Sequence, residues 1–307
     1  MKYLIIGTGG TGACIGGFLA SDHNDVSFIS RGKTLEQMKV NGLMLKTDIR
    51  GELHLPNIKV FSDNEYTDKA DVIFACVKSY SIDEIIPLIR KASHENSIII
   101  PIMNGYGIAD RISEKLQAGH VLSGCMYISA FIDAPGSITQ FGNLFRIVFG
   151  TRKDDFVEMK ILEDIRNTLS KCGIKAIISN NIDRDVFRKF AFISSYASCA
   201  AYYDIAANAM QEEGKYRDTF IELCGEIKEI SKKLDLEFEV DLTEVNLKIL
   251  DALIPDTTAS MQKDMKAERK SEIDGLIFEV LRIADKVDVC VPTYAKIAKY
   301  FGYVFCV

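Results

Sequence analysis

Residues 2–31 read KYLIIGTGGTGACIGGFLASDHNDVSFISR, and this stretch decides the fold of the 307-residue chain. Its apolar start predicts a strand, which is followed directly by a glycine-rich turn. The rest of the stretch predicts a helix and then a second strand. Gly7 permits the tight turn, Gly9 lets a pyrophosphate approach the backbone, and Gly12 lets the helix pack closely on the strand. The start of that helix offers N–H groups and a positive dipole end to the phosphates. We therefore predict a dinucleotide-binding turn formed by Gly7, Thr8, Gly9, Gly10, Thr11 and Gly12; a structural glycine turn in an unrelated α/β domain is the alternative.

The residue that ends the second strand indicates which dinucleotide is bound. Folds that bind NAD usually carry Asp or Glu there, about 20 residues past the motif, to hold the ribose 2′-hydroxyl. Here the chain reads Ser30-Arg31-Gly32-Lys33, without a carboxylate. The planar guanidinium of Arg31, with Lys33 near it, is suited to a 2′-phosphate. We therefore predict NADPH as the cofactor, the alternative being two solvated cations at the start of a loop.

Composition excludes several classes of function. The longest apolar stretches, such as residues 97–103, are too short to span a bilayer, and we expect no cleavable leader before the first strand. A net charge of −6 argues against a nucleic-acid partner. The eight cysteines include no CxxC pair, and the four histidines lack ligand spacing, so we expect buried thiols and no metal site. These features predict a cytoplasmic enzyme that acts on a small molecule.

The periodicity of the chain changes near residue 180. Before it, strands alternate with helices, as at 72–77 and 97–103. A Pro135-Gly136 turn joins 121–132 to residues 137–150, which predicts an antiparallel elaboration of a parallel sheet, and 174–179 is predicted as the closing strand. After it, only helical spacing is found, at 186–203, 206–234, 243–253, 260–287 and 293–300. We predict an α/β protein with a Rossmann-type, doubly wound sheet domain at 1–180 and an all-α domain at 181–307.

Two polar residues follow predicted strands of the parallel sheet. Lys78 comes after the strand at 72–77, and Asn104 comes after the strand at 97–103. Ligands of doubly wound sheets bind at the carboxyl ends of the strands, so we expect both side chains to face the cofactor crevice. A solvated lysine cap and a simple Asn-Gly turn are the alternatives.

Lys189 and Glu272 are the candidates for chemistry in the helical half. At helical spacing Lys189 shares a stripe with apolar residues, namely Phe192, Ile193, Tyr196 and Ala200. A lysine there either snorkels to the surface or lies in a cleft, where desolvation lowers an ammonium pKa and favours proton donation. Glu272 lies beside the apolar stripe of a later helix and can edge the same cleft, the alternative being an exposed acid near a helix start.

The order of these motifs resembles that of the ketopantoate reductases (2-dehydropantoate 2-reductases), over nearly the whole chain. The matching parts are Gly7-x-Gly9-x-x-Gly12, Arg31, Val77-Lys78, Pro101-Ile102-Met103-Asn104-Gly105, Pro135-Gly136, Phe187-Arg188-Lys189, Ser260-Met261-x-x-Asp264 and Glu272-Ile273-Asp274. The resemblance implies an NADPH-dependent reductase that converts ketopantoate to (R)-pantoate for pantothenate and coenzyme A biosynthesis.

The resemblance also implies roles for single residues. Arg31 would bind the 2′-phosphate, and Lys78 and Asn104 would line the nicotinamide and substrate crevice. Lys189 would be the general acid that protonates the forming alkoxide, with Asn104 positioning the reacting groups.

The substrate pocket departs from the family pattern. By resemblance, Ser260 would hold the substrate carboxylate and Glu272 its hydroxyl. The best-known members carry asparagines four and eight residues after the catalytic lysine, where this chain has Ile193 and Ala197. The neighbouring serines point away from that face at 100° per residue: Ser194, Ser195 and Ser198. A more apolar pocket leaves two alternatives open, a reductase of another 2-keto acid and a non-catalytic NADP-sensing regulator. A homodimer through the helical domain is a further expectation.

Overall fold

The computed structural model describes residues 1–116, 118–153 and 155–304. The chain forms two compact units. The first, called the sheet unit, comprises Met1–Met103 and Gly107–Ile182, and the second, called the helical unit, comprises Asn104–Tyr106 and Asp183–Val307. No helix in the described ranges is both long and apolar enough to cross a membrane.

The strands of the described chain all lie in the sheet unit. In chain order they are β1 (Lys2–Ile6), β2 (Asp25–Ile29), β3 (Leu43–Thr47), β4 (Gly51–Leu55), β5 (Lys59–Phe61), β6 (Val72–Ala75), β7 (Ile98–Pro101), β8 (His120–Val121), β9 (Ser123–Ala134), β10 (Ser137–Gly150) and β11 (Lys175–Ile178). The helices of this unit are α1 (Gly10–Ser21), α2 (Gly32–Asn41), α3 (Ile82–Ala92), α4 (Ile108–Ser113) and α5 (Met159–Lys171).

The first sheet is parallel throughout, with strand order β5-β2-β1-β6-β7-β8. Its central strands are buried apolar runs because helices cover both faces: α1 packs on one and α3 on the other. Ile6 is paired with Ile29 and with Ala75, and Ala75 is paired with Pro101. Four strands therefore end at one edge, from which the glycine turn, Arg31, Lys78 and Asn104 all follow. The prediction of a Rossmann-type, doubly wound sheet is confirmed.

A second sheet corrects one detail of the predicted topology. β9 and β10 are antiparallel as expected, but they do not extend the parallel sheet. In addition to β9, β10 pairs in parallel with β3 and with β11. It is therefore the centre of a separate sheet, whose order is β11-β10-β3-β4 and in which β9 pairs with β10. The strand predicted at 174–179 therefore closes this second sheet. α1 packs against strands of both sheets, and the rings of Phe18 and Phe145 meet at 5.0 Å between them.

The helical unit confirms the predicted all-α half. Its helices are α6 (Ile182–Tyr203), α7 (Ala207–Gln211), α8 (Lys215–Lys233), α9 (Leu242–Asp251), α10 (Ser260–Lys266), α11 (Glu279–Lys286) and α12 (Pro292–Tyr300). The single helix predicted at 260–287 is wrong, because Glu268 has φ +52° and a π-helical turn at Asp274–Phe278 precedes α11. The helix predicted at 206–234 is also divided, since Glu212 is extended between α7 and α8. Both breaks fall where a residue leaves the right-handed helical region.

Candidate functional site

The glycine turn has a backbone geometry that side chains would not allow. Gly7 has φ +97°, and a Cβ there would lie 3.0 Å from the carbonyl oxygen of Cys76. A Cβ on Gly12 would lie 2.0 Å from the carbonyl oxygen of Gly7, a distance that no packing adjustment of side chains relieves. Gly9 differs from both, because nothing lies within 4 Å of the position its Cβ would take. The turn is therefore tight at Gly7 and Gly12 and open at Gly9.

The helix that follows the turn has no local cap. α1 begins after Gly9, without a side-chain cap and without an acidic residue in its first turn. The first N–H groups of a helix have no intrahelical acceptor, so they and the positive dipole end remain available to an anion. The buried hydroxyls of Thr8 and Ser30 lie 2.6 Å apart and connect the turn to the end of β2. Open space above Gly9 and an uncapped helix start fit a dinucleotide pyrophosphate.

Arg31 lies at the exposed rim of this edge. It precedes α2 with extended backbone, and 80% of its side chain is exposed. Its guanidinium Nη1 donates to Oε2 of Glu84 at 3.1 Å. An exposed ion pair of this kind contributes about 0–1 kcal/mol, so a phosphate can compete with Glu84 for the guanidinium. Lys33, in the first turn of α2, is also exposed.

Lys78 lies at the same sheet edge, next to the end of β6. Its backbone carbonyl accepts the N–H of Ser81 at 2.9 Å, which starts the 3-10 turn Ser79–Ser81. The residue is half-buried, so it is not a fully solvated cap.

Lys189 and Asn104 are joined directly within the helical unit. The Nζ of Lys189 donates to Oδ1 of Asn104 at 3.0 Å, across 85 residues of sequence. Both residues are half-buried. The ammonium is thus held by an amide oxygen beside the protein surface, which differs from the freely snorkelling lysine considered above.

Tyr106 explains how Asn104 comes to this position, and sequence reasoning missed it. Its ring meets Phe187 edge-on at 5.1 Å and stacks with Phe190 at 6.1 Å. Phe187 and Phe190 flank Lys189 on α6, so Tyr106 fixes the segment Asn104–Tyr106 against the turn that carries the lysine. The only signal in the sequence is an aromatic residue close behind Asn104.

The two predicted substrate residues have opposite environments. Glu272 is only 2% exposed and lies just before the π-helical turn, where its carbonyl accepts the N–H of Leu276 at 2.9 Å. Ser260 is exposed at the first residue of α10. Glu272 is therefore not the exposed acid that was its alternative interpretation.

Ile193 and Ala197, which replace the family asparagines, are both at least partly buried. Ile193 is half-buried and Ala197 is 4% exposed. The serines beside them are fully buried, whereas the helical periodicity predicted only that they point away from the face of Lys189. Ser194 contacts the backbone of Leu276 and the ring hydroxyl of Tyr294.

Comparison with known proteins agrees with this architecture. The model of the family "Ketopantoate reductase PanE/ApbA" matches residues 3–154, and that of its C-terminal part matches residues 181–302. The uncharacterized oxidoreductase YkpB of Bacillus subtilis (strain 168) is 28% identical, over 98% of this chain and 99% of its own. The 2-dehydropantoate 2-reductase of Aquifex aeolicus (strain VF5) is 24% identical, over 97% and 95%.

A solved structure extends the likeness to the fold. The ternary structure of D-mandelate dehydrogenase with NADH and anilino(oxo)acetate has a TM-score of 0.88 and 20% identity, covering 97% of this chain and 96% of that one. The two family models together account for most of the sheet unit and nearly all of the described helical unit. The chain therefore belongs to the ketopantoate reductase family of oxidoreductases.

Proposed function

We propose that the protein reduces a small 2-keto acid to a 2-hydroxy acid with NADPH, and that ketopantoate, reduced to (R)-pantoate, is the first candidate substrate. The observation that carries the proposal is the hydrogen bond between Lys189 and Asn104 on a scaffold of this family. A nearby relative, the Aquifex aeolicus enzyme, is a 2-dehydropantoate 2-reductase, which supports the choice of substrate.

The cofactor would be held at the carboxyl edge of the parallel sheet. The turn from Gly7 to Gly12 would bind the pyrophosphate through backbone N–H groups, and Lys78 and Asn104 would line the nicotinamide end. Arg31 would hold the 2′-phosphate in place of its bond to Glu84. D-mandelate dehydrogenase, with the same fold, binds NADH, which supports a nicotinamide dinucleotide, and Arg31 is our reason for preferring NADPH. The nicotinamide supplies a hydride when bound.

Lys189 would supply the proton of the reaction. Addition of hydride to a keto carbon leaves negative charge on the carbonyl oxygen, which needs a proton and a fixed positive group nearby. Asn104 would hold the ammonium in position through its amide oxygen. General-acid catalysis of this kind accelerates a reaction by about 10²–10⁴-fold, or roughly 3–5 kcal/mol of the barrier.

The helical unit would also hold the substrate. Ser260 would bind the carboxylate of the keto acid, and the buried Glu272 would accept a hydrogen bond from its hydroxyl. The sheet unit would then bind the cofactor and the helical unit the substrate, with the boundary near residue 180, where the periodicity changes. A homodimer through the helical unit and a cytoplasmic location stay predictions.

A second candidate function is reduction of a 2-keto acid with a more apolar tail. It is favoured by Ile193 and Ala197, which cannot hydrogen-bond a hydroxyl or a carboxylate. D-mandelate dehydrogenase, whose solved complex contains anilino(oxo)acetate, has the same fold. A pocket without hydrogen-bond partners discriminates weakly among apolar tails, so such an enzyme would accept several keto acids.

A rate panel tests both candidates. The oxidation of NADPH is followed with ketopantoate, with 2-keto acids that lack its hydroxyl, and with aromatic 2-keto acids. The highest kcat/KM for ketopantoate, together with complementation of a pantothenate auxotroph, supports the first candidate, and a preference for another keto acid supports the second. Tight binding of NADPH without reduction of any keto acid would contradict both and favour an NADP-sensing regulator.

A further inference from the structure

A chain of buried hydroxyls joins α6 to the π-helical turn that follows Glu272. The Oγ of Ser194 donates to the carbonyl oxygen of Leu276 at 2.5 Å. The same Oγ lies 2.8 Å from the ring hydroxyl of Tyr294, which in turn lies 3.2 Å from Oγ of Ser195. Ser194, Ser195 and Tyr294 are each 0% exposed, so water does not compete for these bonds.

The direction of each bond follows from the number of hydrogens available. A serine hydroxyl has one hydrogen, and that of Ser194 is given to Leu276, so Tyr294 must donate to Ser194. Burial raises the pKa of Tyr294, which keeps its phenol protonated and able to donate. The hydroxyl of Ser195 is then the donor to the oxygen of Tyr294. Donation runs in one direction, from Ser195 through Tyr294 and Ser194 to the backbone of Leu276.

The peptide of Leu276 is bound at both of its ends. Its N–H donates to the carbonyl of Glu272 at 2.9 Å, and its carbonyl accepts from Ser194. Leu276 lies within the π-helical turn Asp274–Phe278, where the ordinary helical pairing of carbonyls is interrupted. Such turns inside helices are frequent at functional sites. Ser194 therefore fixes this turn from a neighbouring helix, through the carbonyl of Leu276.

We propose that Ser194 is a positioning residue that sets Glu272 relative to Lys189. Ser194 and Lys189 lie on the same helix, α6, and Ser194 binds Leu276, whose N–H donates to the carbonyl oxygen of Glu272. Ser194 acts through Leu276 and does not touch substrate, and Tyr294 holds its hydroxyl in the donating orientation. The inference rests on the proposed function, since it assigns Glu272 to the substrate.

Ser198 offers a matched control on the same helix. It is also 0% exposed, and within the described ranges its Oγ has no hydrogen-bond partner. Ser198→Ala therefore removes a buried hydroxyl without removing a bond, whereas Ser194→Ala removes the bond to Leu276. Ser194→Thr keeps a hydroxyl at position 194 and serves as the rescue variant. Tyr294→Phe leaves the bond to Leu276 but removes the donor that orients it.

The kinetic test compares these variants in the whole protein with the best 2-keto acid of the rate panel. We expect Ser194→Ala to lower kcat/KM at least tenfold, mainly through KM for the keto acid, with an unchanged dissociation constant for NADPH. Tyr294→Phe should lower kcat/KM by less than Ser194→Ala does. Ser194→Thr should keep most of the wild-type kcat/KM, and Ser198→Ala should match the wild type. In a Glu272→Gln background, Ser194→Ala should have little further effect, because the residue it positions is already altered.

A spectroscopic test separates this proposal from the proposed function. In protein labelled with ¹³C at the glutamate carboxyl, the Glu272 signal is assigned by its loss in Glu272→Gln. Ser194→Ala should move that signal, and Ser198→Ala should leave it in place, whether or not any keto acid is reduced. If Ser194→Ala moves the Glu272 signal no more than Ser198→Ala does, the positioning role is wrong. A shifted signal in a protein that reduces no keto acid would support the positioning and contradict the proposed function.

Discussion

The glycine turn of the sheet unit and the lysine site of the helical unit are built by opposite means. The turn works through the absence of side chains, since a Cβ on Gly12 would lie 2.0 Å from the carbonyl oxygen of Gly7. The lysine site works through side chains from distant segments, since the bond from Lys189 to Asn104 spans 85 residues. A local, backbone-only site is damaged by adding atoms, and an assembled site is damaged by removing them. We therefore expect different effects from mutations at the two sites. Added atoms in the glycine turn should disturb folding or cofactor binding, and lost hydrogen bonds in the lysine site should lower turnover.

The largest expected effect tests the assembled site. Lys189→Ala should lower kcat at least ~100-fold, because the general acid is lost, while the dissociation constant for NADPH changes little. Steady-state kinetics and cofactor titration measure the two quantities. Lys232→Ala is the control, because Lys232 is an exposed lysine of the same unit that pairs with Glu229 on its own helix. An unchanged kcat in Lys189→Ala would remove this residue from the mechanism.

The next prediction tests the backbone site with two glycines that differ in free space. Gly12→Ala should lower the free energy of unfolding by about 3 kcal/mol, because its Cβ meets backbone that cannot move aside. Gly9→Ala should leave that free energy nearly unchanged, since nothing lies within 4 Å of the position that its Cβ would take. It should weaken NADPH binding by about tenfold, because the new methyl group stands where the pyrophosphate must approach the backbone. Urea unfolding and cofactor titration measure both. Equal stabilities for the two variants would contradict the described geometry of the turn.

A smaller effect concerns the choice of cofactor at the rim of the sheet. Arg31→Asp should lower the ratio of kcat/KM for NADPH to that for NADH by at least ~10-fold, because a carboxylate replaces the partner of the 2′-phosphate. Lys39→Ala is the control, since Lys39 lies on α2, the helix that follows Arg31, and pairs with Glu65. A ratio that does not change in Arg31→Asp would mean that the cofactor assignment is wrong.

The smallest effect compares one ion pair in each unit. Hydrogen bonds from Arg50 lower the pKa of Asp22 in the sheet unit, and those from Arg217 lower the pKa of Asp251 in the helical unit. A carboxyl whose pKa is lower in the folded state stabilises the fold above its unfolded pKa, and this contribution is lost as the pH falls through the folded pKa. Asp22→Asn should cost about 1 kcal/mol at neutral pH, and Asp251→Asn less, because the side chain of Asp251 is 46% exposed against 29% for Asp22.

Denaturant unfolding across the acid range checks this comparison. Both differences from the wild type should shrink below the unfolded aspartate pKa of 3.8. A difference that grows as the pH falls would show that the sign of the coupling is wrong.

The sheet unit was predictable where its signals are local. Strand, turn, helix and strand follow one another within residues 2–31, so the periodicity and the glycines indicate the fold without any distant contact. The second sheet was not predicted, because β10 pairs with β3, a partner far earlier in the sequence. The strand pair β3 and β4 is half-exposed and carries no turn motif of the usual two-residue kind, so it was missed.

The helical site was predictable in its members and not in its connections. Lys189 and Asn104 were each selected from the sequence, but periodicity cannot show that their side chains are bonded. Tyr106 was missed because its aromatic partners lie on another segment. Ser194 was predicted only to face away from the lysine, and its partner Leu276 lies 82 residues later. Side-chain bonds between distant segments depend on tertiary packing, which a single sequence does not reveal.

The central claim is that an ammonium from the helical unit protonates the product of hydride transfer. Its most direct test is a crystal structure of the protein with NADP and a 2-keto acid bound together. We predict that Nζ of Lys189 lies within about 2.6–3.2 Å of the keto oxygen, with Asn104 still bound to the ammonium. An ammonium that points into bulk water, far from the pyridine ring and the keto oxygen, would contradict the account.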